Sequence, residues 1–121
     1  MARISIADDS VVMRKTLKRI IENMGHQVVS EASNGDEIIK QYRELKPDLI
    51  TMDITMPKTN GIEAVRELCN TYDDIVIVMV SAINEKRKVF DALKYGAKHY
   101  IIKPFEEDTA VGIIKMVLGD E

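Results

Sequence analysis

Leu49-Ile50-Thr51-Met52-Asp53, with Met56-Pro57 just beyond, is the stretch that decides the fold of this chain. An apolar-leaning run closes on a single acid, the pattern of a strand covered on both faces that delivers a carboxylate at its C-terminal end. In open α/β sheets that end is where ligands bind. Three other stretches repeat the pattern. Ile4-Ser5-Ile6-Ala7 runs to Asp8-Asp9, Ile75 to Val80 runs to Ser81, and Tyr100-Ile101-Ile102 runs to Lys103-Pro104.

Helical patterns separate these runs. Val12, Met13, Leu17, Ile20, Ile21 and Met24 recur at helical spacing and Gly25 supplies a stop. Val28 to Ala32 reads as a short strand near an edge, because it carries polar residues. Asn34-Gly35 marks a turn, and Ile38, Ile39, Tyr42 and Leu45 give a second amphipathic helix that ends before Pro47. A third helix carries Ile62, Val65, Leu68 and Cys69, a fourth Val89, Ala92 and Leu93 up to Gly96, and a last one Val111, Ile114, Val117 and Leu118. Such alternating βα units predict an α/β fold, a doubly wound, five-stranded parallel sheet with right-handed crossovers and helices on both faces. All strand C-termini then share one edge, and the polar residues arrive there together.

The chain has 121 residues, the size of a single domain over 1–121. Hydrophobic residues make up 45% and charged residues 31%, the balance of a soluble globular protein. A net charge of −3 gives no basis for bulk attraction to nucleic acid or an anionic membrane. Cys69 has no second cysteine to pair with, which suits a reducing compartment; at an apolar helix position it reads as core. No apolar run approaches the ~20 residues of a membrane span. Met1-Ala2-Arg3-Ile4 leads directly into a strand, so no signal peptide and a cytoplasmic location are expected.

Each strand-end residue has an ordinary explanation when taken alone. Asp8, Asp9 and Ser10 suit a helix N-cap, Asp53 suits a turn before Pro57, Ser81 is a common strand-end residue, and Lys103 suits solvent. Together they pose an electrostatic problem, since carboxylates crowded in one cleft raise one another's pKa. A hard divalent cation relieves the repulsion, and oxygen-only ligands suit Mg²⁺. No His or Cys stands near Asp8, Asp9 or Asp53 in the sequence, which argues against zinc. With a cation and Lys103 offsetting charge on its oxygens, a phosphoryl group can approach Asp53, the natural nucleophile, to form an acyl phosphate.

Asp8-Asp9, Asp53 with Met56-Pro57 and Gly61, Ser81-Ala82 and Lys103-Pro104-Phe105 together resemble the receiver domain of two-component response regulators, above all the single-domain chemotaxis regulators. The match spans essentially the whole chain. It implies the strand order 2-1-3-4-5, which is flavodoxin's order and that of the chemotaxis regulators themselves. It also implies that Asp53 is phosphorylated by a histidine kinase, and that Asp8, Asp9 and Asp53 hold Mg²⁺ with the backbone carbonyl of Thr55. Ser81 is then the hydroxyl donor to the phosphoryl oxygens beside small Ala82, Lys103 pairs with the phosphoryl group, and the Lys103–Pro104 bond is cis. Such a chain is a signalling phosphoacceptor rather than an enzyme, although self-phosphorylation from small donors and autodephosphorylation come with the resemblance.

The resemblance further implies a two-state switch in which Ser81 moves and Tyr100 fills the space it leaves. The responsive face comprises the helix from about Asn84 to Tyr95, the strand near Tyr100 and the last helix. A phosphorylation-dependent output protein, in chemotaxis a flagellar motor switch, docks there, with no membrane or nucleic-acid contact by this domain. Phe90 and the Lys86-Arg87-Lys88 run suggest that the docked surface is acidic. Met56 lies in the active-site loop as a candidate cover for the metal. Thr55 and Ile83, each two residues past a site residue, depart from the best-known chemotaxis pattern at positions that govern attack by water.

Other readings fit less well. A haloacid-dehalogenase-type phosphatase needs a second Asp where Thr55 stands. An FMN binder needs a Gly/Ser/Thr-rich loop where Asp8-Asp9 stand, and no P-loop is present. A receiver belonging to a longer DNA-binding regulator is the alternative to a standalone chemotaxis protein.

Overall fold

Parallel strands cannot be joined by tight turns, and the chain supplies a helix at every crossover. The computed structural model describes residues 1–119. Its elements are β1 (Arg3–Ala7), α1 (Val11–Asn23), β2 (Gln27–Ala32), α2 (Gly35–Leu45), β3 (Leu49–Asp53), α3 (Gly61–Thr71), β4 (Ile77–Ala82), α4 (Lys86–Tyr95), β5 (His99–Lys103) and α5 (Glu107–Leu118), with a single 3₁₀ turn, Ile83–Glu85, before α4. The five strands form one parallel sheet in the order β2-β1-β3-β4-β5. This is the doubly wound order expected from the family resemblance, and β2 lies at an edge as its polar residues required.

Two cores flank the sheet because successive strand residues point to opposite faces. Ile4, Ile6, Leu49, Val78, Val80 and Ile101 pack with Leu17, Ile20 and Ile21 of α1 and Ala110 and Ile114 of α5. On the other face Ile50, Met52, Ile77 and Met79 pack with residues of α2, α3 and α4. Every residue of β3 is buried. Among the described residues no helix is long and apolar enough to cross a membrane.

The structure corrects four local expectations. β4 begins at Ile77 rather than Ile75 and runs through Ser81 to Ala82. Val76 ends the preceding segment, its carbonyl accepting the Ile50 N–H at 2.9 Å. Val12 is exposed because it sits in the first turn of α1, beyond the strand ends; the apolar stripe begins only at Met13, and Val11 beside it is also exposed. Met56 is buried in the core cluster on the α2, α3 and α4 face, where an apolar thioether is better placed than over a metal. The fourth helix also starts two residues later than expected, after the 3₁₀ turn.

Polar side chains fix where the first three helices begin. Ser10, Asn34 and Asn60 accept the N–H groups of Met13, Glu37 and Glu63 at 3.2, 2.9 and 3.0 Å. At Gly61 the helix start touches the backbone of the site. Its N–H donates to the Ile54 carbonyl at 2.8 Å, and a Cβ there would lie 2.0 Å from the Asp53 carbonyl oxygen. Backbone cannot yield as a flexible side chain can, so glycine is required. Gly61→Ala is therefore expected to destabilise the fold by about 1–3 kcal/mol, read as a lowered urea midpoint with an unchanged slope.

Candidate functional site

Strand register determines which residues meet at the C-terminal edge. Ala7 of β1 pairs with Met52 of β3, so Asp8 and Asp53 follow on adjacent strands. Asp53 pairs with Val80, which places Ser81 one residue beyond it on β4. Ala82 pairs with Lys103, so the lysine leaves β5 at the same edge. One carboxylate oxygen from each of Asp8, Asp9 and Asp53 lies within 4.8 Å of the other two. Asp8 and Asp53 are buried, whereas Asp9 is exposed.

Lys103 bridges the two buried acids. Its Nζ donates to Asp8 Oδ2 and to Asp53 Oδ1, each at 3.3 Å. Asp8 is held from two further sides. The Ser10 N–H donates to its Oδ1 at 2.9 Å, and the Arg14 guanidinium donates to its backbone carbonyl at 2.7 Å. Helix capping thus falls to Ser10, and the acids before it are left for other work. The Lys103–Pro104 peptide is cis.

Burial, reinforced by the neighbouring Asp8 carboxylate, raises the Asp53 pKa to about 7 against the pull of Lys103. Burial also works against the Lys103 ammonium, but Asp53 and Asp8 outweigh it and hold that pKa above the usual lysine range. With all acids ionised, three negative charges (Asp8, Asp9, Asp53) face one positive charge (Lys103), leaving 3 − 1 = 2 negative charges. One divalent cation cancels that excess. The all-oxygen donor set suits a hard ion such as Mg²⁺, so the cluster could hold one.

The hydroxyl of Ser81 is fully buried and has no hydrogen-bond partner. A buried donor without an acceptor is costly, and it lies beside a site that can receive anionic oxygens. Sequence reasoning missed two residues of the pocket. Arg14 steadies the Asp8 backbone, as described above. Glu85 accepts the Ala82 N–H at Oε1 and the Thr55 hydroxyl at Oε2, both at 2.8 Å. Its place three residues after Ala82 was the available signal, since a Glu at that spacing reaches back to a free N–H.

Tyr100 lies apart from the carboxylates. It lines a groove of about 180 Å³ with Lys86, Val89, Phe90 and Ile102, between α4 and β5. Phe90 and Ile83 are exposed, and so are Lys86, Arg87 and Lys88 in the first turn of α4. Thr55 is exposed at the pocket mouth.

Residues 4–115 match the model of the response regulator receiver domain. The chemotaxis protein CheY of Thermotoga maritima is 44% identical over 115 residues, covering 95% of this chain and 96% of that protein. The response regulator domain of T. maritima CheB is 34% identical, with a TM-score of 0.87 over 98% of this chain and 97% of that one. CheY of Borrelia burgdorferi, in a complex described as CheX-CheY-BeF3-Mg²⁺, superposes with a TM-score of 0.91 at 31% identity, covering 95% of this chain and 87% of that chain. The matched residues, the chemotaxis relatives and the shared fold agree, and the chain belongs to the response regulator receiver domain family as a CheY-like member.

Proposed function

We propose that the chain is a chemotaxis-type phosphoacceptor that takes a phosphoryl group from a histidine kinase onto Asp53. The observation that carries this reading is the buried Asp53 carboxylate held by Lys103 beside the unpartnered Ser81 hydroxyl. In the transfer an Asp53 oxygen bonds to phosphorus as the P–N bond of phosphohistidine breaks. The electron pair leaves on the imidazole nitrogen. Lys103 offsets charge on the transferred oxygens, and Ser81 offers its hydroxyl to one of them. Hydrolysis reverses the modification when water attacks phosphorus and the Asp53–phosphorus bond breaks.

Asp8, Asp9, Asp53 and the Thr55 carbonyl are the residues that would hold Mg²⁺. A bound Mg²⁺ supplies charge neutralisation for the acids and the incoming phosphoryl oxygens. The relative crystallised with BeF3 and Mg²⁺ supports that assignment. Output is assigned to α4, β5 and α5, with Tyr100 as the switch aromatic and the α4 cations facing an acidic partner surface. That cationic first turn opposes the helix dipole and has no side-chain cap, so a docked anionic surface relieves a local electrostatic cost. A phosphorylation-dependent output protein of the flagellar-motor type fits this face.

Incubation with acetyl phosphate and Mg²⁺ is expected to add one phosphoryl group to the wild type and none to Asp53→Asn, read by intact-mass spectrometry. Equal labelling of both would reject the assignment. Removing Mg²⁺ with a chelator is expected to abolish labelling.

The Asp53 pKa yields two further expectations. Mg²⁺ must displace a proton from Asp53 below pH about 7, so its affinity rises up to about tenfold per pH unit there and levels off above. Calorimetric titration from pH 6 to 8 measures this. In the metal-free protein the fold favours protonated Asp53. The stabilisation is full below the unfolded-state value of about 4 and is lost as pH rises through the folded value. Asp53→Asn, neutral throughout, is expected to raise the melting midpoint at pH 8 and to lose that advantage near pH 4.

A further inference from the structure

Glu85 makes two contacts that helix capping does not explain together. Reaching back to the Ala82 N–H is ordinary for an acid in the first turn of a helix. The second oxygen, however, takes the hydroxyl of Thr55, thirty residues away on the loop after β3. One half-buried carboxylate therefore ties the loop after Asp53 to the loop after Ser81, across the mouth of the pocket.

The contact has a chemical consequence at the end of β4. Ser81 and Ala82 present two successive donors there, a hydroxyl and a backbone N–H. The hydroxyl is buried and unpartnered, whereas the N–H is already occupied by an anionic oxygen. A phosphoryl group on Asp53 brings several anionic oxygens to the same place and needs the same donors. Glu85 then acts as an internal competitor for the Ala82 N–H.

We infer that Glu85 is an autoinhibitory latch: its carboxylate holds the Ala82 N–H and the Thr55 hydroxyl in the unmodified protein and must let go for the phosphoryl group to be received. This rests on the phosphoacceptor role of Asp53. Glu85 acts through Ala82 and Thr55 and is a positioning residue, not a catalytic one. Its release also frees the 3₁₀ turn, and the next residue is Lys86, the start of α4. The latch is thereby a direct mechanical link between the pocket and the helix that carries Phe90.

The test follows phosphorylation by phosphoramidate with Mg²⁺. In that reaction the P–N bond breaks as the Asp53 oxygen bonds to phosphorus, and ammonia leaves with the electron pair. Glu85→Ala and Thr55→Val are each expected to speed labelling about three- to tenfold, the range carried by one ordinary hydrogen bond. The double variant should be no faster than the faster single, because both substitutions open one latch. Glu85→Gln keeps an acceptor for the Ala82 N–H and should stay nearer to wild type than to Glu85→Ala.

Thr55→Val leaves the charge of the pocket unchanged, so its effect should persist at high salt. An NMR readout needs no phosphoryl chemistry: the Ala82 amide proton should move upfield in Glu85→Ala. Unchanged labelling rates in Glu85→Ala and Thr55→Val, or an unmoved Ala82 amide, would overturn the latch. So would a pattern in which Glu85→Gln matches Glu85→Ala while Thr55→Val is silent, since that is plain charge repulsion. A wild type that is not labelled on Asp53 at all would instead overturn the function on which the latch rests.

Discussion

Two carboxylates from neighbouring strands share one ammonium, and the rest of the pocket is arranged around that three-way contact. Asp8 and Asp53 are buried and close enough to repel, and Lys103 reaches both from the far side of β4. Removing the lysine charge would leave two acids in a cleft with little water, a costly arrangement unless one of them is protonated. The parallel sheet makes the contact affordable. It aligns every strand end at one edge, so that residues distant in sequence meet without any distortion of the strands that carry them.

The pocket is incompletely balanced, and its chemistry comes from that. The acids exceed the ammonium in charge, and Ser81 has a hydroxyl without an acceptor. Each deficit matches a partner of opposite kind: a cation for the acids, anionic oxygens for the hydroxyl. Neighbouring loops border both deficits. Glu85 spans two of them, and α4 begins at the next residue, so a change at the strand ends has a short covalent path to an exposed apolar and cationic surface.

Much of this was legible in the sequence because central parallel strands are apolar on both faces and stop abruptly at polar residues. β1 and β3 showed that contrast sharply, and with it the positions of Asp8, Asp9 and Asp53. β4 was legible as an element but not at its start, since Ile75 and Val76 are as apolar as the strand itself and Val76 already accepts a hydrogen bond from β3. Val12 looked like core because helical spacing identifies a stripe without saying where the sheet beneath it ends. Glu85 was missed because its second partner, Thr55, is set by tertiary geometry and leaves no periodic trace. The strand order itself came from family likeness, as alternation alone permits several orders.

One feature of the sheet sets how firmly the shared ammonium is held. β5 is a border strand, bonded to β4 alone, while the strands bearing the acids have neighbours on both sides. The acids thus follow strands hydrogen-bonded on both sides, and their counter-ion rides on a margin with a ladder on one side alone. Tyr100 belongs to the same strand. A slight lateral drift of that margin would alter the pull on both acids and the shape of the aromatic groove in a single movement.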